Sequence, residues 1–559
     1  MRKQLKALLM TVALVTLSTG LIGCNNEKKQ QQTTTQVETT ENKVENNIEF
    51  KSDGEPVKDD SVLGKNTYVF SPTDNKDEIQ EKVSQIFARQ ESNQFGDERY
   101  ALLFKPGDYG TSLEINVGFY TQVLGLGILP TDTNINKLWV NADWMFHNAT
   151  CNFWRSAENF SVNDYCMWAN SQAVSLRRVN FNDGIVLSDG EGWSSGGFMA
   201  DCKVEKMVSS GSQQQYLFRN NNWGYFENGV WNMVFTGVNV DTIPTGGWPY
   251  EPYTKEETVP KIQEKPYLVY DEDNGYGVMV PEKRTECQGI SWENGVKGTF
   301  YSLNMFYVAD AQKDNADTIN KALKEGKNLL LTPGIYTLDK PITVEEKDTI
   351  IYGMGLATLV STNGNACMVT SDVDGIKVCG VLFEAGDKQS ETLLKVGNEK
   401  AEVSHSDNPI CFSDVYFRVG GANYKGKVKN CVTINSNDVI GDNFWVWRAD
   451  HGDNVGWDMN TAPNGKVKGY ASFKIGDEVN DFYGCGLGIY CYNRDANIEI
   501  FSGAEIPNKD GVEIRNIVTV KLNGQGQITH VINDKGDSVT SSGDTARIQS
   551  YENGEKEKY

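Results

Sequence analysis

Two phrases in this 559-residue chain nearly repeat each other: LLFKPGDYG at 102–110 and LLLTPGIYT at 329–337. Each runs through apolar residues, one polar residue, Pro-Gly, one variable residue and Tyr. The likeness extends in both directions. Upstream lie DNKDEIQEKVSQIFARQ (74–90) and DNADTINKALKEG (314–326), in which Ile79, Val83 and Ile86, and then Ile319 and Leu323, share one face of a short helix. Downstream come Gly125-Leu126-Gly127 and Gly353-Met354-Gly355. The shared order is helix, buried strand, Pro-Gly turn, Tyr, strand, Gly-x-Gly turn. Two copies of one opening unit imply two domains, and the length independently argues against a single core.

A series of short strands succeeds each opening. After the first come ENFSV (158–162), RRVNF (177–181), ADCKV (200–204) and WNMVF (231–235). After the second come IKVCGVLF (376–383), FSDVYF (412–417) and NCVTI (430–434). They recur every twenty to thirty residues or so, without long helices between, and hairpin signals such as Asn-Gly are sparse. That pattern predicts an all-β chain of two tandem right-handed parallel β-helices, each opened by a short helix that caps the exposed strand edges at the end of a coil stack. A β-sandwich or a propeller is the competing architecture. The expected boundaries are 66–296 for the first β-helix and 297–546 for the second.

The N-terminus reads differently. Residues 1–24 have a basic start (Arg2, Lys3, Lys6), a short apolar run and the ending Leu21-Ile22-Gly23-Cys24, which is a secretory signal rather than a spanning helix. The ending resembles a bacterial lipobox, which implies cleavage before Cys24, a lipid on its sulfur, and an extracytoplasmic protein anchored to the cell membrane. Residues 25–65, polar and low in complexity at their start, are expected to form a disordered tether. The formal charge of −22 disfavours nucleic acid as a partner. The remaining cysteines are scattered without a C-x-x-C pair, so they read as buried thiols rather than zinc ligands. No cofactor and no metal are expected, and a monomer is.

A short helix followed by LLLTPGIYTLDKPITV resembles the opening of pectate-lyase-like β-helix proteins. Two such openings in one chain resemble the tandem architecture of the laminarinase-type exo-β-1,3-glucanases. More closely, YALLFKPGDYG, FYTQVLGLG, NFWRSAENFSV, WSSGGFMADCKV, SGSQQQYLFRN, WNMVFTGV and VIGDNFWVWRADHGDNVGW resemble a large group of secreted bacterial proteins over about residues 66–545. Members are often labelled adenylyl cyclase or coagulation factor 5/8-type protein, but the paired metal-binding aspartates of a cyclase are not found here. In that group the ADHG stretch is followed by further aromatic-rich coils bearing glutamates. This chain looks shortened there.

Two stretches concentrate aromatic, cationic and acidic residues, one in each half. CNFWRSAENF (151–160) offers Trp154, Arg155 and Glu158; IGDNFWVWRADHGD (440–453) offers Asp442, Trp445, Trp447, Arg448, Asp450 and His451. Glycosidic hydrolysis typically takes a protonated carboxyl group and a carboxylate, and an apolar aromatic setting raises a carboxyl pKa. Glu158, Asp442 and Asp450 are therefore the candidate catalytic acids. Trp154, Trp445 and Trp447 can stack on sugar rings. Arg155, Arg448, His451, Asp201 and Gln214 are the candidate polar contacts to substrate. The competing structural readings are ion pairs Arg155–Glu158 and Arg448–Asp450 at coil corners, and a corner role for Asp201. In the strand at 444–447, either Phe444 and Val446 or Trp445 and Trp447 must face the coil core.

These features favour a cell-surface glycoside hydrolase acting on a neutral polysaccharide such as a β-glucan, by two carboxylates in a cleft between the β-helices. A polysaccharide lyase would need Lys or Arg around the site, and no Lys cluster lies near Glu158 or Asp450 in sequence. A glycan-binding surface lipoprotein without catalysis is the reading that the shortened second half favours.

Overall fold

The computed structural model describes residues 46–456, apart from 231, 248–250, 424 and 450, and beyond 456 the backbone of short strands between 472 and 558. The signal segment and Cys24 lie outside the described residues, as does Asp450.

Strands dominate, and they pair in parallel within two separate sets of ladders. In the first half one column runs Tyr68, Leu102, Val123, Ala157, Leu176, Met199, Phe218, Phe235, Lys255. A second column runs Asn116, Trp139, Met167, Val186, Ser209, Glu227. A third runs Asp108, Asn134, Ser161, Asn180, Lys203, Asn222. The chain visits the three columns in turn and returns one rung higher. In the second half one column runs Tyr307, Leu329, Ile351, Val378, Phe412, Gly441, Gly484, and another runs Ile342, Met368, Leu394, Val432, Phe473.

A short helix opens each half. Helix α1 (Lys76–Gln90) is capped by the Asn75 side chain, which accepts from the Asp77 and Glu78 amides. Helix α2 (Ala316–Lys324) is capped in the same way by Asn315. Ile79, Val83 and Ile86 of α1 join the core of the first ladders, and Ile319 and Leu323 of α2 join that of the second. Both faces named from periodicity are the buried ones.

Between the halves runs a sheet of different character. Tyr267–Asp271, Gly275–Pro281 and Lys297–Ser302 pair antiparallel, and Asn47–Lys51 adds to the last of these in parallel. The tether expected to run to residue 65 therefore ends earlier. The strand Asn47–Lys51 is paired, and Leu63 is wholly buried. Likewise, the boundary expected after residue 296 falls at the first residue of the strand Lys297–Ser302.

The strand Tyr100–Phe104 is buried on both faces. Tyr100, Leu102 and Phe104 fill the first core. Ala101 and Leu103 point the other way, into a shared cluster with Leu268, Val278, Leu330, Ile350 and Tyr352. That two-sided burial explains the unbroken apolar runs in both Pro-Gly phrases. Because Leu103 belongs to the seam and not to one coil stack, Leu103→Ala is expected to loosen the halves together, costing about 2–5 kcal/mol, read as a lower urea midpoint by tryptophan fluorescence.

Candidate functional site

The strand Val439–Arg448 settles the choice at 444–447. Phe444 and Val446 pack inside the second core, while Trp445 and Trp447 face the first half. There they meet Phe153 and Trp154. The Phe153 ring centroid lies 4.9 Å from Trp445 and 5.4 Å from Trp447, and Trp154 lies 5.2 Å from Trp445. Trp445 and Trp447 stack 5.4 Å apart with a 13° interplanar angle. Trp154 holds a left-handed φ of 54°, which turns its ring out of the ladder and into this cluster. Gly421, at φ 82°, lets the chain pass the rings closely; a Cβ there would come within 3.0 Å of Phe95 and 3.2 Å of Trp447. The sequence-named tryptophans are thus brought together, but at the buried floor of the seam. Trp154 and Trp447 are fully buried.

The predicted acids are placed differently. Glu158 is ion-paired to Lys265 and lies 3.4 Å from the Tyr352 hydroxyl. Asp442 accepts from Arg177 at 2.7 Å and Arg219 at 2.9 Å. Arg177 also grips Asp414 at 2.8 Å, and Arg219 grips Glu264 at 2.7 Å. Ser175 and Asn443 each donate to Asp414 at 2.8 Å. All of these charged side chains are buried. Glu158 and Asp442, named from sequence as candidate catalytic acids, are members of a buried charge network that clasps the two halves. Reaching a substrate would require breaking it.

The expected Arg155–Glu158 pair does not form either. Arg155 donates instead to the carbonyls of Val117 at 2.8 Å and Phe153 at 3.1 Å, and lies over the Phe119 ring. Burial pulls its guanidinium down to about 9. Arg155 is a buried brace, not a sugar contact. Asp201 is a corner residue, with φ 56°, and it accepts from the Ser291 hydroxyl at 2.7 Å and Arg178 at 3.3 Å. Burial first, and then the Glu264 carboxylate, push its carboxyl up to about 6. It braces the connector rather than lining the seam with the tryptophans. Arg448 is fully buried, with Nη1 3.5 Å from the Val419 carbonyl.

The electrostatics of the network follow from its pairing. Burial alone would push Glu264 up, but the opposing Arg219 outweighs it and holds the carboxyl at about 2. Asp414 is likewise held low: burial works against this, and Arg177 and Lys265 overcome it. Lys265 is held above its ordinary value because Glu158 and Asp414 overcome its burial.

Beside the tryptophans lies a polar row that sequence reasoning largely missed. The Ser195 hydroxyl donates to Ser171 Oγ at 2.8 Å and lies 2.9 Å from Gln172 Oε1. The Gln172 amide donates to the Ser195 carbonyl at 2.9 Å. Gln215 donates to the same carbonyl at 3.2 Å, and Gln213 accepts from the Gly196 amide at 2.9 Å. Gln214, named from sequence, is half-buried in this row, its amide donating to the Ser194 carbonyl at 3.1 Å. The row meets the aromatic floor at Phe153, because the Ser171 amide donates to the Asn152 carbonyl and the Trp154 amide to the Ala173 carbonyl. Across the floor stands His451, whose Nε2 lies 2.6 Å from the Gln94 side-chain amide and whose ring meets Trp447 edge-on at 5.3 Å. A signal for the row was present. NSQ, WSS and SQQQ each carry Ser or Gln into successive strands, one coil apart.

Amides and hydroxyls of this kind can hold sugar hydroxyls or a water. The model of the LAM55 pectate lyase-like domain matches residues 306–486. An exo-β-1,3-glucanase of Streptomyces sp. (strain SirexAA-E / ActE) is 42% identical over 542 residues, spanning 86% of this chain and 88% of the relative. The chain belongs to the laminarinase-type exo-β-1,3-glucanase family. The structure of sacteLam55A from Streptomyces sp. SirexAA-E superposes with a TM-score of 0.72 at 39% identity, covering 86% of this chain and 97% of that one. A variant of sacteLam55A in complex with glucose gives a TM-score of 0.73 at 39% identity, over 88% and 98% of the two chains. Family membership makes the chain a glycoside hydrolase of mostly β structure with a pectate-lyase-like domain.

Among the described residues, the one cluster of His and carboxylates with metal-ligand spacing is Asp143, His147 and Asp189. Its imidazole Nδ1 lies 3.1 Å from an Asp189 carboxylate oxygen.

The buried charges set a pH dependence. Glu264 titrates near 4.5 in an unfolded chain and at about 2 when folded. Its contribution is therefore present above pH 4.5 and is lost as the pH falls from 4.5 toward 2. The thermal midpoint should fall through that window, and Glu264→Gln should flatten the fall while lowering the midpoint at neutral pH. Asp442→Ala, which removes one of two carboxylate partners from each of Arg177 and Arg219, is expected to cost about 3 kcal/mol in denaturant unfolding.

Proposed function

We propose that this protein is a cell-surface exo-acting β-1,3-glucan hydrolase. Its two sets of ladders are read as tandem right-handed parallel β-helices, and it is read as a monomer held to the membrane by a lipid on Cys24. The observation that carries the reading is the polar row of Gln172, Ser195 and Gln214 beside an indole floor at the seam, in a chain similar over most of its length to a glucanase whose variant was solved with glucose. A neutral sugar suits this lining. Of the cations along the seam, Arg177, Arg219 and Lys265 are committed to carboxylates and Arg155 is buried on backbone carbonyls, whereas a lyase needs accessible positive charge for a uronate. The lysine that sequence proximity did not supply, Lys265, does reach Glu158, but as a buried partner.

With Glu158 and Asp442 locked in ion pairs, the two-carboxylate chemistry rests on Asp450, adjacent to His451, and on a second carboxyl group from beyond residue 456. In this reading His451, 2.6 Å from the Gln94 amide, and the Gln172–Ser195 pair orient the terminal sugar and a water. The locking of Glu158 and Asp442 is the one observation behind a second reading, a member of this family that binds glycan without cutting it, and one assay separates the two.

The mature chain is incubated with laminarin and with xylan, and released glucose and new reducing ends are followed. Glucose from laminarin alone is expected. Gln172→Ala and Ser195→Ala should each lower its rate about 10-fold or more, and Asp450→Asn about 100-fold or more. Binding to laminarin with no glucose released would establish the non-cutting reading, and neither binding nor release would overturn both.

A further inference from the structure

The cations of the buried network each meet a carboxylate, but three cations of the connector between the halves do not. Among the described residues, Lys283, Arg284 and Lys297 form no ion pair. All three line one cleft, a local surplus of positive charge in a chain whose formal charge is −22.

The cleft follows from how two strands part. Gly275–Pro281 pairs antiparallel with Lys297–Ser302 as far as Pro281 opposite Gly298, and the Glu282 amide donates to the Lys297 carbonyl at 3.0 Å. There the chain turns away. Lys283–Cys287 pairs with Val259–Gln263 instead, while Lys297–Ser302 takes Asn47–Lys51 on its other edge. The fork that opens between them holds a cavity of about 370 Å³, lined by the three cations, by Arg178 and by residues of the 290–296 segment. Glu282 is the one acid among the lining residues.

The cations differ in what they have left to donate. Arg178 is committed, with Nη1 3.3 Å from Asp201 and Nη2 donating to the Ile128 carbonyl at 3.2 Å. The Lys283 ammonium donates to the carbonyls of Ser406 at 2.6 Å and Asp407 at 3.1 Å, which leaves one of its three hydrogens. Lys297 is exposed. Arg284 Nη2 donates to the carbonyls of Gln288 at 3.1 Å and Gly289 at 3.0 Å, whereas its Nη1 is buried without a partner. Glu264, which follows the paired strand Val259–Gln263, cannot serve it, because Arg219 takes both Glu264 oxygens at 2.7 Å. A buried guanidinium N–H with no acceptor is costly until an acceptor arrives. A carboxylate would bring two oxygens and one charge. A phosphate group brings three terminal oxygens and close to two charges, which suits one guanidinium and two ammonium groups converging from different strands. The cavity is also large enough to take a sugar ring behind the anion.

We propose that this fork is a second binding site, which holds a phosphate group, free or carried on a small sugar, between Lys283, Arg284 and Lys297. None of its lining residues belongs to the polar row or the aromatic floor, so the site stands apart from the glucan reading and does not rest on it.

The test is calorimetric titration of the mature chain, at fixed ionic strength, with inorganic phosphate and with glucose 6-phosphate, and with acetate as the singly charged control. Both phosphates are expected to bind saturably and at least about 10-fold more tightly than acetate. Arg284→Gln should weaken them about 10-fold or more, and Lys297→Gln about 5-fold. Lys297 is exposed, so its variant should keep the thermal midpoint of the free protein and leaves a clean reading even where Arg284→Gln unfolds. Glucose release from laminarin should be the same in Lys297→Gln as in the wild type. A tighter ester assigns the site to a sugar phosphate, and equal affinities assign it to the free ion. No saturable binding of either phosphate overturns the proposal. So does acetate binding as tightly as phosphate, and so does wild-type phosphate affinity in Lys297→Gln and Arg284→Gln, which would place the anion elsewhere.

Discussion

The halves of this protein are held by a seam from which water is excluded, and everything else depends on how that seam is satisfied. Apolar strands such as Tyr100–Phe104 and Asn328–Leu331 are buried on both faces. The seam also carries Glu158, Glu264, Asp414 and Asp442 out of water, and each meets Arg177, Arg219 or Lys265. Such a network gains little over apolar packing when whole, yet is costly to break from one side. Its value is geometric. Arg177 bonds both Asp414 and Asp442 through a fixed fork, so the two ladders can meet in one register only. That register puts Phe153 against Trp445 and Trp447 and sets the floor of the site.

The architecture was legible because periodicity reports local physics. The duplicated Pro-Gly phrase, the capped helices before it and the recurring short strands each state what a coil needs, and α1, α2 and the parallel columns answer them. The start of the folded body was not legible. Residues 47–51 look like the end of a polar tether, and their structure comes from pairing with residues 297–301, far away in sequence.

The site was legible by composition and misread by role. Trp154, Trp445, Trp447 and His451 do gather, as their density suggested. Glu158 and Asp442 looked catalytic because each stands near aromatic residues in sequence, and the cations that engage them arrive from 107 and 223 residues away. Sequence proximity offered Arg155 to Glu158, but residues on one strand point by parity and by backbone turn, not by nearness. The polar row was the reverse case. Gln172 and Ser195 are ordinary residues alone and become a site only when neighbouring coils stack.

The columns also bear on how such a protein can change over time. Each rung is bonded chiefly to the rungs beside it, as in the run from Ile351 through Val378 and Phe412 to Gly441. A genetic insertion or deletion spanning one full coil leaves the alternation of inward and outward side chains intact above and below it. Descent can therefore lengthen or shorten such a chain in whole steps, altering how much polymer it spans while the clasp between the halves is inherited unaltered.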